Sequence, residues 1–391
     1  YGMYINLLPI ILCWIDAFII VNFIYNHEYI MLPNLLIFYP ITLYYFFSYF
    51  YVFKIAYMVS YVWGDIMSKV VLIFTGGTIA MKIDKELHGA IPSLSPNDIV
   101  STLTGIDEFD NLIVHEFSSK PSPAITPIDM SEIADKVQEY LDMDEVSGVV
   151  VVHGTDVLEE TAFFLNAVIK SVKPVVLTGS MKNASELGYD GLTNLVSSIK
   201  VCMSKESMTK GTLVVMNDTI NSSAEVTKTH TMSLDTFKSI EFGPLGMIDH
   251  NEVIYYRNIT HTKSYNFDNY VNSDTYLIKI HAGMDGHFID YLINRKARGI
   301  VLETLGRGNV PPMMVSSIER AIGNGIHIVL VSRCYSGRVL DTYAYPGGGK
   351  DLTRRGCILG GNLNGQKARI LLMLAISNSY SKKEITNLFA L

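Results

Sequence analysis

From Val70 onward, short and almost wholly apolar runs alternate with amphipathic stretches of helical length. A short run that is apolar at every position suits a strand buried on both faces. Such strands belong to parallel sheets covered by helices on either side. The candidate strands are Val70–Phe74, Gly148–Val152, Val175–Thr178 and Thr212–Met216. Ser95-Pro96 followed by Gly105 brackets one helix, with a serine cap and a proline in the first turn. Ser131–Met143, Asp156–Lys170 and Asp190–Met203 read as three more. Tyr256–Asp274 loses periodicity and turns polar, as a linker does. Beyond it a second unit has strands predicted at Thr275–Ile280, Gly299–Leu302 and His327–Val331, and a helix at Gln366–Ser377. The expected fold is α/β. Two doubly wound domains, a larger amino-terminal one over 67–256 and a smaller carboxy-terminal one over 275–391, are joined by a linker at 257–274. Ligands in such sheets sit at the carboxyl ends of the strands.

Residues 1–66 have a different texture. They hold four charged side chains (Asp16, Glu28, Lys54, Asp65), both tryptophans and eleven of the chain's 23 tyrosines. Tyr4–Tyr25 and Met31–Phe53 reach the roughly 20 residues that a membrane span needs. Asp16 interrupts the first window, and Pro33 and Pro40 the second. Trp63-Gly64-Asp65 is encoded by codons able to carry a purine-rich ribosome-binding sequence just before Met67. The expectation is therefore a leader that is untranslated or mis-assigned, with Met67 as the true start. The alternative is a membrane anchor.

A formal charge of -7 excludes nucleic acid as the main partner, since a phosphate binder needs a basic face. Cys13, Cys202, Cys334 and Cys357 form no CxxC pair; three of them lie in strongly apolar stretches and read as free, buried thiols in a reducing compartment. No zinc-protease helix signature or other metal motif occurs, and no G-x-S-x-G elbow.

Three polar segments carry the chemistry. Thr75-Gly76-Gly77-Thr78 follows the first strand; its glycines allow a tight turn with backbone N–H groups close to a ligand, and Thr78 offers a hydroxyl. His153-Gly154-Thr155-Asp156 follows a run of four valines and precedes a helix, where Thr155 and Asp156 meet free N–H groups. His153 reads as a structural residue of that turn. Val226-Thr227-Lys228-Thr229 supplies a lysine that, partly desolvated beside a hydroxyl, can relay its proton. Amide hydrolysis needs a nucleophile, a proton relay and donors for the oxyanion. Thr78 or Thr155, the Lys228–Asp156 pair and the glycine turn provide these.

The strings TGGTIA, VVVHGTD-x-LEETA-x-FL, LVVMNDTI-x-x-x-x-EVTKTHT, FGPLG and LNGQKAR, in this order between Lys69 and Asn378, resemble those of the bacterial-type asparaginase/glutaminase family. The resemblance implies a cytoplasmic amidohydrolase that cleaves asparagine to aspartate and ammonia, with glutamine as a second candidate substrate. It implies no cofactor and a homodimer or homotetramer whose sites lie between subunits. By motif, Thr78 matches the primary nucleophile, and Thr155, Asp156 and Lys228 match a second triad. Substrate binding falls to Gly77, Ser122, Thr155 and Asp156, with Asn309 reaching a partner's site. Two departures stand out. No tyrosine lies between Thr78 and Tyr140, where many members carry one close to the nucleophile. Tyr345-Pro346-Gly347 also stands where an acid for the neighbour's substrate is expected. Competing readings are the ammonia-releasing subunit of a tRNA amidotransferase, which shares these motifs, and a membrane-anchored non-catalytic binder.

Overall fold

The computed structural model describes residues 69–103, 111–259, 265, 267–271 and 274–390. The chain divides between Ile66 and Met67, and every described element belongs to the second part. The expectations about residues 1–66, Cys13 and Gly105 lie outside the described residues.

In chain order the second part runs β1 (Lys69–Phe74), the hairpin β2 (Met81–Asp84) and β3 (Gly89–Pro92), α1 (Pro96–Ser101), β4 (Leu112–Glu116), α2 (Pro127–Leu141), β5 (Val146–Val152), α3 (Leu158–Val168), β6 (Val175–Thr178), α4 (Gly191–Met203), β7 (Thr212–Met216) and β8 (Thr219–Ser222). A ribbon of β9 (Thr227–Lys228) and β10 (Phe237–Lys238) follows, then β11 (Gly246–Asp249) and β12 (Glu252–Tyr255). After the linker come β13 (Thr275–Lys279), α5 (His287–Asn294), β14 (Gly299–Thr304), α6 (Val315–Gly323), β15 (His327–Ser332), α7 (Gly349–Arg355), β16 (Ile358–Leu359), α8 (Gly365–Ser377) and α9 (Lys382–Phe389).

The larger sheet is ordered β12-β11-β8-β7-β6-β5-β1-β4. Its β7-β6-β5-β1-β4 part is parallel. The second sheet, β13-β14-β15-β16, is parallel throughout. The predicted strands are all present. The antiparallel extension was not foreseen, and its cause is local. Asn217 and Asp218 both adopt positive φ (50° and 56°), which makes a two-residue hairpin between paired Met216 and Thr219.

Alternation along β1 shows how the layers form. Val71 and Ile73 enter one core with α2 and α3, while Val70, Leu72 and Phe74 enter another with α1 and α4. Each fully buried aliphatic side chain of this kind contributes about 1.5–3 kcal/mol. The first of these cores also contains Ala368 and Ile370 to Ile376 of α8 and Val301, Val329 and Val331 of the second sheet. One apolar core therefore runs through both domains. The linker joins it: Phe267 is wholly buried and stacks on Tyr265 at 5.9 Å. Its polar sequence concealed those two anchors.

Capping explains where helices begin. Ser95 and Asp98 form a reciprocal box at α1, as the serine-proline signal predicts. Thr126 and Asp129 form the same box at α2, with Pro127 in the first turn, so α2 starts four residues before the expected Ser131. Among the cysteines, Cys202 and Cys357 are buried and free. Cys334 is exposed, because it lies in the loop beyond the carboxyl end of β15. Among the described residues no helix is long and apolar enough to cross a membrane.

Candidate active site

Strand order places the site. The chain leaves β1 for β4 on one side and then crosses to β5 on the other, so β1 lies at a switch in strand order. A switch of this kind leaves room for a ligand at the carboxyl ends of the strands. Three loops meet there, and glycines let them touch. A Cβ on Gly76 would lie 2.4 Å from the Lys120 carbonyl oxygen, and one on Gly77 would lie 2.5 Å from Gly154 Cα. One on Gly154 would fall 2.5 Å from Ser122 Cβ. Gly76 and Gly77 also need positive φ (110° and 92°). The backbones of Gly77 and Gly154 approach closely, and Thr78 and Thr155 follow them directly in the chain.

Thr78 opens a single 3-10 turn, Thr78–Ala80, closed by the Ala80 N–H donating to Gly77 O. It is half-buried, and its hydroxyl has no hydrogen-bond partner among the described residues. The turn is held from outside: the Tyr189 phenol donates to Ile79 O at 2.8 Å.

Thr155 is buried and Asp156 exposed. They lie in the turn before α3, which starts two residues later than the predicted Asp156, at Leu158 with Val157 as its cap residue. Val157 supplies no side-chain cap; its N–H instead donates to Ser122 Oγ at 3.1 Å. Ser122 Oγ in turn donates to Gly154 O at 2.7 Å. The Ser122 hydroxyl therefore ties the loop after β4 to the loop after β5.

Lys228 closes the arrangement. Its ammonium donates to Thr155 Oγ1 at 3.0 Å and to Asp156 Oδ1 at 2.8 Å. The side chain is 17% exposed. Lys228 stands on β9, paired with Phe237 of β10. The ribbon is fixed beyond it by the Thr229 N–H donating to Thr236 O and the His230 N–H donating to Thr236 Oγ1. What the sequence presents as a polar loop is a short, hydroxyl-braced ribbon.

His153 is structural. Its Nδ1 donates to Gly154 O at 2.7 Å, so Nε2 accepts from Thr161 Oγ1 at 3.1 Å. Complete burial pushes its pKa down to about 4, only partly offset by the Gly154 contact. Asn309 lies in the second domain, where Oδ1 accepts from the Gly349 N–H at the start of α7.

Family models match both domains. The model described as Asparaginase, N-terminal covers residues 69–261, and that described as Glutaminase/Asparaginase C-terminal domain covers 275–389. The chain belongs to the asparaginase family. An L-asparaginase of Bacillus licheniformis is 33% identical over 79% of this chain and 96% of its own length. A glutaminase-asparaginase of Pseudomonas fluorescens biotype A is 30% identical over 83% and 90%. A crystal structure of a probable cytoplasmic L-asparaginase from Campylobacter jejuni superposes with a TM-score of 0.74 at 30% identity, over 82% of this chain and 99% of that one. Like its relatives in this family, the chain is an amidohydrolase.

Sequence reasoning missed one feature of this family member's site. Glu159, a buried carboxylate of α3, faces the ribbon that carries Lys228. It lies within the LEETA string, but its partners are 68 to 207 residues away, and no local signal names them.

Proposed function

We propose that the protein is a cytoplasmic L-asparaginase that hydrolyses the side-chain amide of asparagine through a threonine nucleophile and a Thr155–Lys228–Asp156 relay. One observation carries the reading: a single ammonium bridges Thr155 Oγ1 and Asp156 Oδ1 beside the glycine turn that presents Thr78. The names of the relatives give the substrate class.

Thr78 Oγ attacks the amide carbon, forming a C–O bond and moving the carbonyl electron pair onto oxygen. N–H groups of the glycine turn stabilise that oxyanion. The hydroxyl proton passes into the relay and then to the departing nitrogen. Collapse breaks the C–N bond, releases ammonia and leaves an acyl ester on Thr78. Water, deprotonated by the same relay, hydrolyses the ester and returns the hydroxyl. Asp156 also pairs with the substrate's α-ammonium, and Gly77 and Ser122 border its carboxylate. Asn309 serves a neighbouring subunit's site in a homodimer or homotetramer. The domains run over 67–256 and 275–391.

Ammonia release from purified protein, with asparagine and glutamine compared side by side, tests the reading. Asparagine is expected to be turned over. One methylene in a pocket is worth about 1–3 kcal/mol, so the preference over glutamine is expected within roughly 10–200-fold. Absence of ammonia release from either amide would overturn the proposal.

A further inference from the structure

Around the Lys228 backbone a buried polar cluster joins the two domains. Glu159 is 5% exposed. Its Oε1 accepts from Thr227 Oγ1 at 3.1 Å, from the Lys228 backbone N–H at 3.3 Å and from Gln366 Nε2 at 3.2 Å. Its Oε2 accepts from Asn364 Nδ2 at 3.1 Å and lies 3.9 Å from the Lys367 ammonium. Lys367 is itself buried and donates to the carbonyls of Ala224 and Val226, just ahead of β9. Asn364 meanwhile caps α8, accepting from the Lys367 N–H at 3.1 Å. The Asn364–Lys367 segment thus reaches from the second domain and grips the stretch 224–228 of the first.

A buried ion pair is weak evidence for stability, since well-packed apolar residues would often serve as well. Location gives this one a purpose. The β9–β10 ribbon is two residues long on each side, and its ladder alone gives little rigidity. The Lys228 ammonium must stay within hydrogen-bond reach of two groups at once. A misplacement of 1 Å in such a site costs on the order of 100-fold in rate.

We propose that Glu159, locked by Asn364, Gln366 and Lys367, is a positioning residue that sets Lys228 in register with Thr155 and Asp156, so that the second domain governs the relay of the first. This rests on the relay reading given under the proposed function. Burial pushes the Lys367 amine down to about 8, with Glu159 and Glu225 opposing the fall.

Glu159→Gln keeps the shape but turns an amide NH2 toward donors on one of its two sides. The expected result in the full-length enzyme is a kcat for asparagine lowered 10–100-fold, with KM within three-fold and thermal midpoint within a few degrees. Added to Lys228→Met, Glu159→Gln is expected to cost nothing more, because it acts through that lysine. Unchanged kcat, or a loss that multiplies in the Lys228→Met background, would overturn the inference. Should Glu159→Gln not fold, Gln366→Ala decides: it removes one donor and is expected to lower kcat several-fold with the same non-additivity, and normal turnover would overturn the proposal. Full activity of Lys228→Met alone would instead sink the relay reading, and the inference with it. A dead Lys228→Met beside a fully active Glu159→Gln would sink the inference only.

Discussion

Thr78 and Thr155 follow adjacent parallel strands, but they are held in different ways. Thr155 is buried, bonded to Lys228 and backed by the His153, Ser122 and Glu159 networks. Thr78 is half-buried on a 3-10 turn that leads straight into a largely exposed hairpin, β2–β3. Its turn is tied down by Tyr189, and the hairpin beyond by the Ala184 N–H donating to Met81 O. A relay, the role proposed for Thr155, gains from rigidity because it must keep its proton path aligned. A nucleophile, the role proposed for Thr78, must approach the carbon only when substrate is present, so a lighter tether suits it.

The largest effect should come from the lightly held side. Thr78→Ala is expected to lower kcat on the order of 10⁴-fold while leaving asparagine binding nearly intact, measured by steady-state kinetics and by calorimetric titration of the inactive variant. Near-normal turnover would reverse the roles given to the two threonines. On the rigid side, Thr155→Ala and Lys228→Met are each expected to cost roughly 10³-fold, and the double variant barely more, since a relay fails as a unit. Additive losses would mean that the two groups act independently.

Third is the rigidity itself. Folding holds the His153 pKa at about 4, below the ordinary 6.5 of the unfolded chain. Between those values the unfolded state binds the extra proton, so stability contributed by this residue is intact above pH 6.5 and falls as pH drops toward 4. The loss totals about 3 kcal/mol below that window. Urea unfolding at pH 7 and pH 5 should show a smaller drop in His153→Gln than in the parent; equal drops would contradict a buried neutral imidazole. Gly77→Ala attacks the junction between the two regions. Its positive φ alone costs about 1–3 kcal/mol, and the added Cβ would overlap Gly154. Turnover is expected to fall by about 100-fold, and normal kinetics would show that the loops need not touch. The smallest effect is assigned to Tyr189→Phe, which removes one tether of the Thr78 turn. One hydrogen bond is worth about 1 kcal/mol, so kcat should fall less than 10-fold. A drop of several orders would promote Tyr189 from a brace to a participant, in place of the tyrosine missing between Thr78 and Tyr140.

Strands and turns with local causes were readable from the chain. The four-valine run demanded a strand buried on both faces, and the glycine pair after β1 demanded a turn, because both requirements are met within a few residues. The Thr126-Pro127-x-Asp129 cap and the Asn217-Asp218 hairpin are equally local, but their signals are weaker than the apolar runs beside them. Ser122 was named for the site, but its hydrogen bonds to Gly154 and Val157 could not be inferred.

By itself the sequence determined the α/β alternation, the loops that carry Thr78, Thr155, Asp156 and Lys228, and the kind of chemistry these residue types allow. Periodicity and turn chemistry act over short spans of chain, so a linear reading captures them. Tertiary structure alone decided that Gly77 touches Gly154, that the ammonium of Lys228 bridges two groups 72 and 73 residues away, and that a carboxylate on α3 holds the second domain against the first. Those contacts depend on strand order and on which side chains the shared core excludes from water, and neither is written in any local stretch of the chain.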